Sequence, residues 1–104
     1  MRILVIADIH ANLHALEAVL KDAKDTYDVA WCLGDLVGYG PYPNECIQII
    51  RGLPDCICIS GNHDYATVAN IDLSTFNPIA YQALHWTQNV HLSTQTFYLH
   101  NFAN

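Results

Sequence analysis

Basic side chains are scarce in this sequence, in which four lysine and arginine residues stand against ten aspartate and glutamate residues, for a formal net charge of −6. No basic cluster exists to displace the counterions of a nucleic acid, which argues against a partner held through its phosphate backbone. No apolar run approaches the roughly 20 residues of a membrane-spanning helix. Met1 and Arg2 lead directly into a short apolar stretch, unlike the start of a signal peptide. We therefore expect a soluble cytoplasmic protein that binds neither nucleic acid nor membrane.

C-x-x-C cysteine pairs and the G-x-G-x-x-G fingerprint are also absent. The four cysteines, Cys32, Cys46, Cys56 and Cys58, show no C-x-x-C spacing. A zinc knuckle or a disulfide framework is thus disfavoured, and buried reduced thiols are expected. No G-x-G-x-x-G follows the first apolar run, which disfavours a dinucleotide-binding domain.

What is present is an alternation of short apolar runs and helical patterns. The runs are nearly continuous, as is typical of parallel strands buried on both faces. They predict strands at 2–7, 29–33 and 56–59. Apolar residues at helical spacing predict helices from 12 or 13 to 24, from 43 or 44 to 51, and from Asn77 and Pro78 onwards. Ser93 is a candidate cap for a last helix.

The order strand, helix, strand, helix, strand predicts an α/β fold with right-handed βαβ crossovers and a mainly parallel sheet. With 52% hydrophobic and 13% charged residues, the chain has the composition of one modest core. We expect one domain over 1–104, with a strand and helix core at about 1–64 and a helical segment at about 65–104.

Polar residues follow each predicted strand. Asp8-Ile9-His10 follows the first, Gly34-Asp35 the second, and Gly61-Asn62-His63-Asp64 the third. Ligands bind beyond the carboxyl ends of parallel strands, so we expect these three clusters to converge on one crevice. Carboxylate, imidazole and amide groups form a mixed nitrogen and oxygen ligand set. The pattern predicts a site for a pair of divalent metal ions.

Each cluster alone also fits ordinary turn chemistry. Asp8 would cap the turn that follows it, and Asn62 would cap a short helix at 65–69. Three such clusters, in this order and each after its own strand, are not expected from turn chemistry, so the metal interpretation is preferred. The remaining histidines are interpreted as surface groups without a role; they are His14, His85, His91 and His100.

These three clusters, with Leu36-Val37-Gly38 extending the second, resemble the first three motifs of the calcineurin-like metallophosphoesterase superfamily. Three longer stretches resemble its small prokaryotic branch: 8–20 (DIHANLHALEAVL), 34–45 (GDLVGYGPYPNE) and 76–87 (FNPIAYQALHWT). The resemblance implies the N-terminal half of the four-layer metallophosphoesterase fold, truncated after about residue 104.

The resemblance also implies roles for individual residues. Asp8 and His10 bind the first metal, Asp35 bridges both metals, and Asn62 binds the second. His63 is the catalytic histidine and Asp64 its supporting residue. Two divalent cations of Mn, Fe, Co, Ni or Zn activate water and clamp the phosphoryl oxygens of a phosphoester substrate. The implied activity is that of a phosphatase or phosphodiesterase.

The sequence departs from the superfamily pattern in two places. Gly38 and Tyr39 stand where many phosphoprotein phosphatases carry Asp-Arg, which disfavours a phosphoprotein substrate. Nothing after Asp64 matches the later strand-end histidine or the G-H-x-H motif, so we expect this chain alone to be nearly inactive. A C-terminal fragment would supply the missing ligands. The alternatives are a non-enzymatic metal-binding remnant and one half of a split enzyme.

Overall fold

A three-stranded parallel sheet forms the centre of the computed structural model, which describes residues 1–69 and 72–90. The strands β1 (Ile3–Ile6), β2 (Val29–Cys32) and β3 (Cys56–Cys58) lie side by side in chain order. Val5 pairs with Trp31, which pairs in turn with Ile57. The α/β class and the parallel sheet predicted from the sequence are confirmed.

Two helices connect the strands. Helix α1 (Leu13–Ala23) begins after Asn12, whose side-chain oxygen accepts a hydrogen bond from the Ala15 amide at 3.1 Å. Helix α2 (Pro43–Gly52) begins with a proline, a residue that suits the first helical position because it lacks the amide hydrogen that would go unpaired there. Both helices lie within two residues of their predicted bounds.

The main core lies between one face of the sheet and these two helices. Both connections are βαβ crossovers that advance in the same direction, so their right-handedness places α1 and α2 on the same face. The buried residues of this core are Leu16, Cys32, Leu36, Val37, Cys46, Ile47, Ile50 and Cys58. All four cysteines are free thiols, and three of them are buried, as expected.

The opposite face of the sheet is apolar and exposed. The exposed fractions of Val5, Trp31 and Ile57, which form one row across the three strands, are 52%, 43% and 63%. The expectation that the strands are buried on both faces is therefore wrong within 1–69 and 72–90. The physical reason is the shared handedness of the crossovers, which leaves this face without a helix.

Helices α3 (Asn62–Ala69) and α4 (Pro78–Val90) pack on each other. Helix α3 begins at Asn62 itself, three residues earlier than predicted, so Asn62 is not its cap. Asn77 does cap α4, because its side-chain oxygen accepts a hydrogen bond from the Ala80 amide at 2.9 Å. A second small core of Ala66, Leu73 and Leu84 joins the two helices.

The last helix predicted from the sequence, from Ser93, falls outside the described residues. None of the helices in the described part of the chain is long and apolar enough to cross a bilayer.

Candidate metal centre

Three segments meet at the carboxyl edge of the sheet, joined by backbone hydrogen bonds. The Asp8 amide donates to the Gly34 carbonyl at 3.2 Å, and the His10 amide donates to the Asp35 carbonyl at 2.8 Å. The start of α3 joins them, since the His63 amide donates to Oδ1 of Asp35 at 3.0 Å. The loops after β1 and β2 and the start of α3 thus form one crevice.

Asp8, His10 and Asp35 form a compact cluster in this crevice. One ligand atom from each residue lies within 4.8 Å of the others. Two carboxylates and an imidazole are a donor set that suits a divalent transition metal. Asp8 is exposed, whereas His10 and Asp35 are half-buried, so the cluster opens to solvent on the Asp8 side. The residues present therefore fit one cation.

The His10 ring is oriented by a hydrogen bond to the backbone, which leaves its other nitrogen for a metal. Its Nδ1 lies 3.0 Å from the Val37 carbonyl oxygen, which can only accept, so Nδ1 carries the hydrogen. The lone pair is then on Nε2, which faces Oδ1 of Asp8 at 3.6 Å. A backbone carbonyl that orients a ligating histidine through its other nitrogen is the usual arrangement at metal sites.

The backbone around the cluster is strained. Asp8, His10 and Asp35 have φ angles of 55°, 48° and 55°, in the left-handed region that non-glycine residues rarely adopt. Gly34, with a φ angle of 99°, lies so close to the loop after β3 that a β-carbon on it would be 2.5 Å from the Gly61 amide nitrogen, so only glycine fits there. Strain of this kind persists where the surrounding structure fixes it, and it concentrates at functional sites.

His63 lies beside the cluster and is 6% exposed. Its ring centroid is 4.7 Å from that of His10 and 5.3 Å from that of Phe76. Burial lowers the pKa of His63, an effect that the Asp35 carboxylate opposes. Within the described residues, Nδ1 of His63 is buried without a hydrogen-bond partner.

Asp64 is fully buried and joins two loops. Its Oδ1 accepts a hydrogen bond from the Val37 amide at 3.2 Å, and its Oδ2 accepts one from the Gly61 amide at 3.0 Å. Burial raises the pKa of Asp64 to about 6, although these two amides act in the opposite direction. With both oxygens engaged by backbone, Asp64 positions the loops of the crevice.

Asn62 is the first residue of α3, and its side chain is exposed. It directly precedes His63, whose amide contacts Asp35. The second metal position, which the sequence assigns to Asp35 and Asn62, stays a prediction.

The aromatic neighbours of the site are not among the residues predicted from the sequence. The Tyr39 ring centroid lies 5.1 Å from both the His10 and the His63 ring centroids. Its place directly after Gly38 in the second motif is the one signal that points to it. No local signal points to Phe76, because its contact with His63 depends on how the segment before α4 packs.

Comparisons with known proteins identify the family of this chain. The family model of the calcineurin-like phosphoesterases matches residues 1–102. An uncharacterized protein of Methanocaldococcus jannaschii is 48% identical over 89 residues, which cover 85% of this chain and 36% of that protein. A symmetrical bis(5'-nucleosyl)-tetraphosphatase of Erwinia tasmaniensis is 35% identical over 68 residues, which cover 62% of this chain and 25% of that enzyme.

A solved metallophosphoesterase structure from Sphaerobacter thermophilus superposes with a TM-score of 0.83 at 48% identity, covering all of this chain and 42% of that one. The chain thus spans less than half the length of these relatives. The matched family model covers nearly the whole sequence, and the solved relative shares its fold. The chain belongs to the calcineurin-like phosphoesterases.

Proposed function

We propose that this chain takes part in the metal-dependent hydrolysis of phosphoesters and holds a divalent cation through Asp8, His10 and Asp35. The observation that carries the proposal is the convergence of these three ligand atoms within 4.8 Å, with the lone pair of His10 Nε2 facing Asp8. A divalent cation in such a site supplies a water-derived nucleophile at neutral pH and neutralises phosphoryl charge.

His63 is the residue of this chain that would act on the substrate. Its lowered pKa favours the neutral imidazole at neutral pH, and a neutral imidazole carries one N–H donor. That donor would stabilise a phosphoryl oxygen in the transition state, whereas protonation of the leaving alkoxide would require the imidazolium form of His63. Asp64 supports it indirectly, by fixing the loops at Val37 and Gly61.

The substrate class is suggested by the relatives. The Erwinia relative is named for the cleavage of dinucleoside tetraphosphates. Such a compound is therefore a substrate to test beside a simple aryl phosphodiester. The chain spans a quarter of that enzyme, so its own preference needs direct measurement.

Calorimetric titration with Mn²⁺ tests the proposal. We expect about one site per chain, because Asp8, His10 and Asp35 form one cluster, and we expect Asp35→Asn to abolish binding since the site needs the anionic carboxylate. Asp22→Asn, which neutralises an exposed carboxylate of α1, is the matched control and should bind like the wild type. Equal Mn²⁺ affinity in the wild type and Asp35→Asn would overturn the assignment.

A second candidate is one half of a split enzyme, which works only with another polypeptide, and the alternative to it is a non-enzymatic metal-binding remnant. The exposed apolar row of Val5, Trp31 and Ile57 favours the split enzyme, since such a surface is normally covered. Mixing the chain with the C-terminal portion of the Methanocaldococcus relative separates the two possibilities. Turnover of bis(p-nitrophenyl) phosphate that appears only in the mixture would support the split enzyme, whereas two bound metals without turnover would support the remnant.

A further inference from the structure

Tyr39 is a strained residue beside His10 and His63. Its φ angle is 62°, and it follows Gly38 at φ 90°. A bulky side chain in the left-handed region costs on the order of 1 kcal/mol or more, a cost that glycine avoids. The residue that follows Tyr39 is held by the loop after β1, because the Gly40 amide donates to the His10 carbonyl at 2.9 Å. Tyr39 thus has a backbone conformation that would cost glycine less free energy than tyrosine.

The ring of Tyr39 contacts both functional histidines. It meets the His10 ring edge to face, at 82° between planes, and the His63 ring at 36°. Tyr39 also lines a hollow of ≈ 560 Å³ together with Asp8 and His10. The side chain is 45% exposed, so a ligand in this hollow can reach it.

The hydroxyl of Tyr39 is oriented from the other side. Nδ2 of Asn77 donates to it at 3.2 Å. The orientation of the Asn77 amide is itself fixed, because its Oδ1 accepts from the Ala80 amide at the start of α4. The phenol oxygen thus accepts from Asn77 and keeps its own hydrogen to donate elsewhere.

Cations of this chain lie away from the crevice. One basic residue precedes β1 and pairs with Asp28. The other three stand at or just after the carboxyl ends of α1 and α2. In βαβ units these helix ends lie at the amino edge of the sheet, opposite the crevice. They are Arg2, Lys21, Lys24 and Arg51. A phosphoryl oxygen not held by a cation therefore needs a neutral donor.

We propose that Tyr39 is a substrate-binding residue whose phenol hydroxyl donates a hydrogen bond to a non-bridging phosphoryl oxygen, with Asn77 holding the phenol in place. This inference rests on the proposed function, because it takes a phosphoryl group as the ligand. The proposed contact to the phosphoryl group comes from the loop after β2, and Asn77, the cap of α4, orients the hydroxyl that makes it.

Binding of methylphosphonate, a small analogue that cannot be hydrolysed, tests the inference without relying on turnover. The Mn²⁺-loaded 104-residue chain is titrated with it by calorimetry, as wild type, Tyr39→Phe and Tyr81→Phe. Tyr39→Phe keeps the ring contacts and should weaken methylphosphonate binding about three- to tenfold, the loss of one neutral hydrogen bond, with Mn²⁺ affinity unchanged. Tyr81→Phe, whose ring stacks on His85, should match the wild type.

Asn77→Asp tests the orienting role. A carboxylate keeps the cap of α4 but accepts the phenol hydrogen, which removes the donor from the crevice. The variant should therefore lose methylphosphonate affinity. The double variant Tyr39→Phe/Asn77→Asp should bind methylphosphonate as weakly as the single variant with the lower affinity, and no more weakly. Charge repulsion by the introduced carboxylate would instead add a further loss of affinity to that of Tyr39→Phe.

The outcomes separate this inference from the proposed function. If the wild type binds methylphosphonate and Tyr39→Phe binds it equally well, the role of Tyr39 is wrong and the proposed function stands. If the Mn²⁺-loaded wild type does not bind methylphosphonate at all, the proposed function is overturned and this inference falls with it.

Discussion

Gly38 and His63 occupy adjoining space, so that a β-carbon at position 38 would overlap Nδ1 of the His63 ring. The same glycine has a φ angle of 90°, a conformation that side chains rarely adopt. The second motif thus contributes its carboxylate, Asp35, and also the empty volume into which the histidine of the third motif fits. His63 is buried because Gly38 leaves room for it.

Gly38→Ala should therefore displace His63 and destabilise the fold. We expect the free energy of unfolding to fall by about 1 to 3 kcal/mol, from backbone strain and overpacking together. Mn²⁺ affinity should fall as well, because the Val37 carbonyl that orients His10 belongs to the peptide group directly before this glycine. Gly52→Ala is the matched control, since a β-carbon there meets nothing within 4 Å. Equal denaturation midpoints for the two variants would contradict the packing.

His63→Ala should separate turnover from metal binding. The ring lies against the cluster without belonging to it, so Mn²⁺ affinity should stay within about threefold, while turnover of an aryl phosphodiester by the complemented protein should fall about 100-fold or more. His85→Ala, on the exposed side of α4, is the control. Loss of a metal from His63→Ala would make this residue a ligand and the assigned role wrong.

Asp64 should give the metal-free protein a characteristic pH dependence. The pKa of this buried carboxyl rises from its ordinary 3.8 to about 6, so the folded chain keeps a proton that the unfolded chain loses between these values. Its contribution to stability is fully present below pH 4 and is lost as the pH rises through 6. Relative to Asp64→Asn, the free energy of unfolding of the wild type should fall by on the order of 2 kcal/mol over this range.

Chemical denaturation in the presence of a chelator, at pH values from 4 to 7, measures this difference. Asp22→Asn should run parallel to the wild type, because Asp22 is exposed on α1. If the Asp64→Asn curve also runs parallel to the wild type, Asp64 does not take up the proton.

The sequence predicted the strands, three of the helices and the edge at which the motifs meet, because each rests on local chemistry. Apolar runs form the strands, Asn12 and Asn77 cap their helices, and parallel strands bring their carboxyl ends together. It did not predict the exposure of Trp31. An apolar run shows that a strand face avoids water, but it does not say which segment covers that face.

The same limit applies to Tyr39 and Asp64. The contact of Tyr39 with two histidines requires a left-handed φ angle that the sequence signals only through the preceding Gly38. The two amides that Asp64 binds come from loops after different strands, so its positioning role depends on the sheet being assembled. Contacts between different loops depend on the tertiary structure, so the sequence pattern of one loop does not predict them.

The exposed sheet face supports a last prediction. Trp31 stands on the central strand between Val5 and Ile57, and an apolar row of this kind promotes association in water. The isolated chain should therefore show concentration-dependent self-association in sedimentation velocity. Trp31→Lys should reduce it strongly, because a lysine in the middle of the row would have to be desolvated in any contact.

Trp86→Lys is the matched control for Trp31→Lys, since Trp86 is 44% exposed against 43% for Trp31 but lies on α4, away from the sheet. Thermal melts are the check that both variants fold. Folded Trp31→Lys should also fail to restore turnover when it is mixed with the C-terminal portion of the Methanocaldococcus relative. Trp86→Lys should restore it. If both variants associate and complement alike, the sheet face is not the contact surface, and the burial of Val5, Trp31 and Ile57 is not what joins the two polypeptides.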